Sequence, residues 1–288
     1  MTIRTILLPV DFSHPAKVAA CQARLLAEHF AAHLKLLHVL PYPLAMPGAP
    51  EHGLQLGEWF TGRSTQDAVE LKSFFAQELK GVPVERVVLE GDPAKRIVGY
   101  ANANDVDLIV MPAHGYGPFR RFLLGSVTAK VLHDVDCPVW TGIHAEDVSC
   151  GETLNIRTVV CAVGLGPESA KLIGWASEAA TSFGARLFLV HVIPDPEPGD
   201  DGQLRPGLMD SAAVRARERA EELKRHCAAD AEVIIAGGEI HKAVRWQLEK
   251  LSADLLIIGR SPQAGIFGRL PTNAYAIVRD SRCPVVSV

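Results

Sequence analysis

Short aliphatic runs alternate along the chain with longer stretches whose apolar positions recur at helical spacing. In the first half the runs fall at 3–10, 34–40, 84–90, 107–112 and 138–143, and the helical patterns at 15–31, 64–80, 93–103 and 125–134. In the second half strands are predicted at 157–163, 187–193, 231–236, 254–259 and 284–288, and helices at 168–182, 210–228, 239–250 and 272–280. The runs are too continuously apolar for strands with one wet face. They suit strands buried on both sides, which is what a parallel sheet covered by helices requires. Strands alternating with helices at this spacing imply βαβ units, a parallel sheet and right-handed crossovers.

The two halves repeat one another. Cys137-Pro138-Val139 returns as Cys283-Pro284-Val285, "VDLIVMP" at 106–112 as "ADLLIIG" at 253–259, and "LKLLHVLP" at 34–41 as "LFLVHVIP" at 187–194. The opening "RTILLPVDFS" at 4–13 returns as "RTVVCAVGLG" at 157–166. Four matches in the same order indicate a duplicated domain. The polar stretch 144–155 joins the copies, giving domains at 1–146 and 154–288. His38 and His191 recur at equivalent strand ends, which points to a shared structural role. Pro/Gly-rich loops at 41–63 and 194–209 also correspond, and read as surface connections or as mobile flaps over a site.

Composition narrows the functional classes. A net charge of −4 and 22% charged residues give no electrostatic footprint for nucleic acid or an anionic membrane. No apolar run approaches the roughly 18 residues of a membrane span, and the N-terminal run is too short for a secretory signal. A cytoplasmic protein is expected. The six cysteines include no C-x-x-C pair and lie mostly in apolar segments, so they read as unbonded buried thiols and not as a zinc site. His29 and His33 have the i, i+4 spacing of a helical metal pair, but no third ligand is visible. The Arg- and Glu-rich helix at 210–228 reads as a solvated, salt-bridged face.

Open parallel sheets bind ligands at the carboxyl ends of their strands, where the strand order reverses. Two loops of the first copy are candidates. One is Pro9-Val10-Asp11-Phe12-Ser13, after the first strand. The other runs from Met111-Pro112-Ala113-His114-Gly115 to Gly125-Ser126-Val127, with nine residues between Gly115 and Gly125. Gly115 admits a ligand close to the backbone, and Gly125-Ser126 open a helix whose N–H groups and dipole attract an anion. Ser126 can cap that helix or donate to a phosphate oxygen. Arg120 and Arg121 supply positive charge. Asp11 suits an adenine amino group, a ribose hydroxyl or a bound cation.

This second segment resembles the signature of the universal stress protein family: Gly-x-x-Gly, nine residues, then Gly-Ser or Gly-Thr, followed by a helix and a Cys-Pro-Val strand. The likeness covers both copies and looks like the family's tandem type. It implies an α/β fold of two tandem open parallel five-stranded sheets, order 3-2-1-4-5, with helices on both faces. It also implies that the two domains pair as an intrachain pseudo-dimer, with a homodimer of such chains as a further option. The ligand implied is ATP, expected with Mg²⁺. Carried over by position, Val10, Asp11 and Val39 would lie at the base and ribose, and Met111, Pro112, His114, Gly115, Gly125, Ser126 and Val127 would form the signature loop. Pro112 stands where the first signature glycine belongs and lacks a backbone N–H.

The second copy departs further. Gly164 replaces Asp11, and Gly259-Arg260-Ser261-Pro262 keeps the first signature glycine but not the second. Pro271-Thr272 stands in place of Gly125-Ser126. The first domain is therefore expected to bind ATP as a stress or signalling module, and the second to be structural or regulatory. Alternatives are an apolar-ligand carrier and a scaffold with a vestigial nucleotide site. No Walker A, G-x-S-x-G or H-E-x-x-H pattern is present, so no catalytic residues are assigned, with slow ATP hydrolysis as an upper bound.

Overall fold

Ile6, Leu7 and Leu8 are wholly buried, as are Leu34, Leu36 and Leu37 and then Ile109 and Val110. Apolar residues on consecutive positions can all be buried only if both faces of the strand are covered. The computed structural model describes residues 1–41, 62, 65–67, 69–113, 124–142, 153–194, 210–260 and 272–288. It divides into two units, Thr2–Leu154 and Asn155–Val288, the latter together with Met1.

In the first unit β1 (Thr5–Val10), β2 (His33–Leu40), β3 (Val84–Glu90), β4 (Leu108–Pro112) and β5 (Val139–Gly142) form a parallel sheet in the order β3-β2-β1-β4-β5. Helices α1 (His14–Phe30), α3 (Pro93–Ala103) and α4 (Ser126–Asp134) connect them, with α2 helical at 65–67 and 69–73. The second unit repeats this plan. Its β6 (Thr158–Ala162), β7 (Arg186–Pro194), β8 (Glu232–Gly238), β9 (Leu255–Ile258) and β10 (Val285–Ser287) lie in the order β8-β7-β6-β9-β10. Helices α5 (Ser169–Phe183), α6 (Asp210–His226), α7 (Ile240–Leu251) and α8 (Thr272–Asp280) complete it. Because right-handed crossovers that run in opposite directions fall on opposite faces, α1 and α2 cover one face of the first sheet and α3 and α4 the other. The order and the two-sided covering agree with the sequence reading.

Helix ends follow local chemistry. Ser13 caps α1, its Oγ accepting from the Ala16 N–H at 3.4 Å, and Pro15 occupies the first turn. Asp92 caps α3, and the Lys95 N–H bond holds its carboxyl below the usual range. Ala31, at φ 51°, ends α1 with a left-handed residue, as Gly184, at φ 63°, ends α5. Hence His29 lies on α1 while His33 opens β2, and the two do not share a helix as their spacing suggested. Among the described residues no acidic, His or Cys cluster could hold a metal ion. The pattern at 64–80 overreaches too: regular helix stops at 73, and Phe75 turns left-handed at φ 58°. The α6 surface carries the ion pairs Arg219–Glu222 and Lys224–Glu221, as its composition implied. No helix among the described residues is long and apolar enough to cross a membrane.

Cys161, Cys227 and Cys283 are free thiols. Burial pushes Cys161 up to about 12, and Cys283 up to about 11. Cys21 departs from the expectation of unbonded thiols, for it is disulfide-bonded. A pairing between distant cysteines leaves no local spacing signal.

One contact recurs in both units where strand order reverses. An Asp107 carboxylate oxygen accepts from the N–H groups of Arg4 and Thr5 at 2.8 and 2.9 Å. Asp254 does the same for Arg157 and Thr158, again at 2.8 and 2.9 Å. Each carboxylate, just ahead of the fourth strand, holds the start of the first. Charge-assisted bonds of this kind contribute about 1.5–3 kcal/mol when protected, and part exposure lowers that. Asp107→Ala is expected to destabilise the protein by about 1–2 kcal/mol in urea denaturation, and Asp254→Ala by a similar amount. A loss within error for both would show that the clamp adds nothing.

Candidate functional site

β1 pairs with β2 on one side and β4 on the other, with Ile6 opposite Leu108 in the β1–β4 register. Chain leaving β1 turns toward β2, and chain leaving β4 turns toward β5. Their carboxyl ends therefore diverge and open a crevice, the position where such sheets bind ligands. Val10 ends β1 and Pro112 ends β4, so both predicted loops start at this crevice.

At the carboxyl ends of β1, β2 and β4, Val10, Val39 and Met111 are buried; the register puts Val39 and Met111 on one face of the sheet and Val10 on the other. Asp11 is exposed, and its Oδ1 accepts from the Ser13 N–H at 3.1 Å. Phe12 lies between them at φ 58°, a left-handed conformation costly for a bulky residue. Leu165 repeats that strain in the second unit at φ 60°. The tight turn thus belongs to the duplicated scaffold, whereas the carboxylate belongs to the first unit alone.

At the β4 side, two bonds join the halves of the signature loop. The Gly125 N–H donates to the Ala113 carbonyl at 2.9 Å, and Thr128 Oγ1 donates to the Pro112 carbonyl at 3.0 Å. Pro112 thus contributes through its carbonyl, which proline retains, at the last position of β4. The sequence names Phe12 and Ser13 only as members of the first loop, with no role of their own, and does not point to Thr128. Ser13 carried a usable signal as a hydroxyl residue just before a helix, whereas the Thr128 bond depends on the fold.

Ser126 differs from one of its two expected roles. Gly125 is the N-cap of α4, with φ −58° and ψ 139°, and no side chain caps the helix. Ser126 is the first helical residue, and its side chain is exposed. The first N–H groups of a helix lack intrahelical partners, so those of Ser126, Val127 and Thr128 remain at the crevice with the positive end of the dipole. The α1 terminus beside it is already closed by Ser13 and Pro15. His114 and Gly115 lie outside the described residues, as do Arg120 and Arg121.

Among the described residues, the corresponding crevice of the second unit has no counterpart of the Asp11 carboxylate. Gly164 has no carboxylate, and the space around a Cβ there is open. Gly259 approaches Leu172 so closely that an added Cβ would lie 3.2 Å from its Cδ2. The Arg260 N–H donates to the Val288 carbonyl at 2.9 Å. Ser261, Pro262 and Pro271 lie outside the described residues.

Thr128 is 4% exposed, so losing its hydroxyl leaves the Pro112 carbonyl short of a partner where water is scarce. Thr128→Val is expected to lower stability by about 1 kcal/mol in chemical denaturation. An unchanged midpoint would show that the bond does not hold the loop.

The comparisons with known proteins agree with this fold. The model of the universal stress protein family matches residues 2–141 and again 155–288. A universal stress protein of Thermus aquaticus is 35% identical over 140 residues, 47% of this chain and 96% of the relative. One of Mycobacterium tuberculosis is 25% identical across 98% of this chain and 95% of its own length. Among solved structures, a universal stress protein from Archaeoglobus fulgidus shares the fold, with TM-score 0.71 and 22% identity over 99% of this chain and 96% of that one. Matched twice by the family model and once by a relative along nearly its whole length, the chain belongs to the universal stress protein family.

Proposed function

We propose that this protein is a stress-response or signalling module that binds ATP, with Mg²⁺, in its first unit, while the second unit is structural or regulatory. The observation that carries the reading is the α4 N-terminus, capped by glycine without a side-chain bond, at the carboxyl end of β4. A helix terminus left open in this way, with an exposed hydroxyl on its first residue, is suited to phosphate oxygens. Asp11 at the end of the neighbouring strand offers an acceptor to the ribose or to a cation. Val39 and Met111, on one face of the sheet, supply apolar surface for a base, with Val10 beside them at the end of β1. Pro112, His114, Gly115, Gly125, Ser126 and Val127 would complete the phosphate loop.

Nothing in this arrangement requires chemistry on the nucleotide. Occupancy alone can act as the signal if the loops around the crevice differ between bound and free states. The absence of Asp11's counterpart at Gly164 supports one such site per chain.

Isothermal titration with Mg²⁺-ATP tests the reading. Wild type is expected to bind, and Asp11→Ala and Gly125→Val are each expected to weaken binding by about tenfold or more, the scale of one charge-assisted bond or one steric block. Gly164→Ala, in open space in the second unit, should leave the affinity unchanged. No heat from wild type, or wild-type affinity in both first-unit variants, would overturn it.

A further inference from the structure

His38 is held from two directions. Its Nδ1 lies 2.9 Å from the Val10 carbonyl. A carbonyl only accepts, so Nδ1–H is the donor. Its Nε2 lies 3.4 Å from an Asp67 carboxylate oxygen. The two residues are 7% and 1% exposed. An imidazole with its single hydrogen on Nδ1 would turn a lone pair toward that carboxylate, and two buried acceptors facing each other repel. The contact is attractive only when the pair holds one more proton, as imidazolium with carboxylate or as imidazole with carboxylic acid. The Phe12 ring, with its centroid 4.4 Å from that of His38, packs against the imidazole.

Asp67 belongs to α2, and the chain that follows it grips the same rim. Phe74 meets Phe12 edge-on at 4.6 Å, and Glu78 pairs with Lys17 of α1 at 2.9 Å. Arg86 of β3 donates from Nε to the Leu71 carbonyl at 2.9 Å. Among the described residues, further charged or titratable groups on these elements include exposed His14 on α1, Asp11, bonded to the Ser13 N–H, and exposed Glu70 and Lys72 on α2. In the second unit His191 Nδ1 makes the equivalent contact to the Val163 carbonyl at 2.8 Å. The backbone bond is therefore scaffold, and among the described residues the buried acid occurs at the first crevice alone.

We propose that His38 and Asp67 form a proton-dependent latch, docking the α2 segment against the β1–α1 loop and so making nucleotide binding at Val10 and Asp11 sensitive to pH. The proposal rests on the nucleotide reading above. His38 acts as a positioning residue, through the Val10 carbonyl and Phe12, and not by touching the ligand. Because the attraction needs the extra proton, the latch is closed at lower pH and loosens when that proton is lost at higher pH.

The test has two readouts on the full chain. Hydrogen–deuterium exchange of residues 69–80 without nucleotide, corrected for intrinsic exchange, is followed from pH 6 to 9. Protection is expected to fall several-fold with rising pH in wild type. It should stay level in Asp67→Asn, whose amide N–H donates to the neutral ring and replaces the missing proton. His38→Gln should remove the pH dependence with low protection throughout, and His191→Gln should behave as wild type. A fluorescent ATP analogue titrated over the same range should bind more weakly at high pH in wild type, and evenly in Asp67→Asn. Level protection in wild type, or the same decline in Asp67→Asn, overturns the latch. The exchange pattern as described with no analogue bound at any pH overturns the nucleotide reading while supporting the latch as a docking device.

Discussion

The pairing of β1 with β4 is the contact on which the rest of each unit depends. A parallel sheet cannot be closed by tight hairpins, so each strand must be reached by a crossover, and crossovers have one hand. Once the chain has built β2 and β3 outward on one side of β1, β4 must return to the other. That reversal separates the loops leaving β1 and β4, and it makes the crevice. Asp107 and Asp254 anchor it by bonding N–H groups at the start of the first strand from just ahead of the fourth. The ligand loops lie at the opposite end of the same two strands, so the clamp stabilises the crevice without entering it.

Duplication separates what the fold needs from what a site needs. Both units keep the carboxylate clamp, the strained residue after the first strand, the left-handed end of the first helix and the histidine bond to the first strand's last carbonyl. They differ at Asp11 against Gly164 and, among the described residues, at the buried carboxylate that Asp67 brings to His38. A shared feature therefore signals scaffold, and a feature confined to one unit marks a candidate for function. By this criterion the first crevice is the equipped one.

Much of this was legible in the chain alone, because it is encoded locally. Aliphatic runs such as 34–40 mark strands covered on both faces, and Ser13 and Asp92 mark helix starts by their own hydroxyl and carboxylate. The crevice residues Asp11 and Gly125-Ser126 stood out by spacing. What stayed hidden was set by the conformation of single residues or by distant partners. Ala31 adopts a left-handed cap that ends α1 and separates His29 from His33. Gly125 takes the cap position and leaves Ser126 uncommitted. Asp67 reaches His38 across a long insertion, so no local pattern pairs them, and Cys21 finds a disulfide partner with no nearby cysteine.

The central claim is that one crevice of two is built to hold a nucleotide. Native mass spectrometry of the intact chain, titrated with Mg²⁺-ATP, counts bound molecules directly. The account predicts saturation at one nucleotide per chain. Saturation at two, or no bound species at concentrations well above those that fill a specific site, would contradict it.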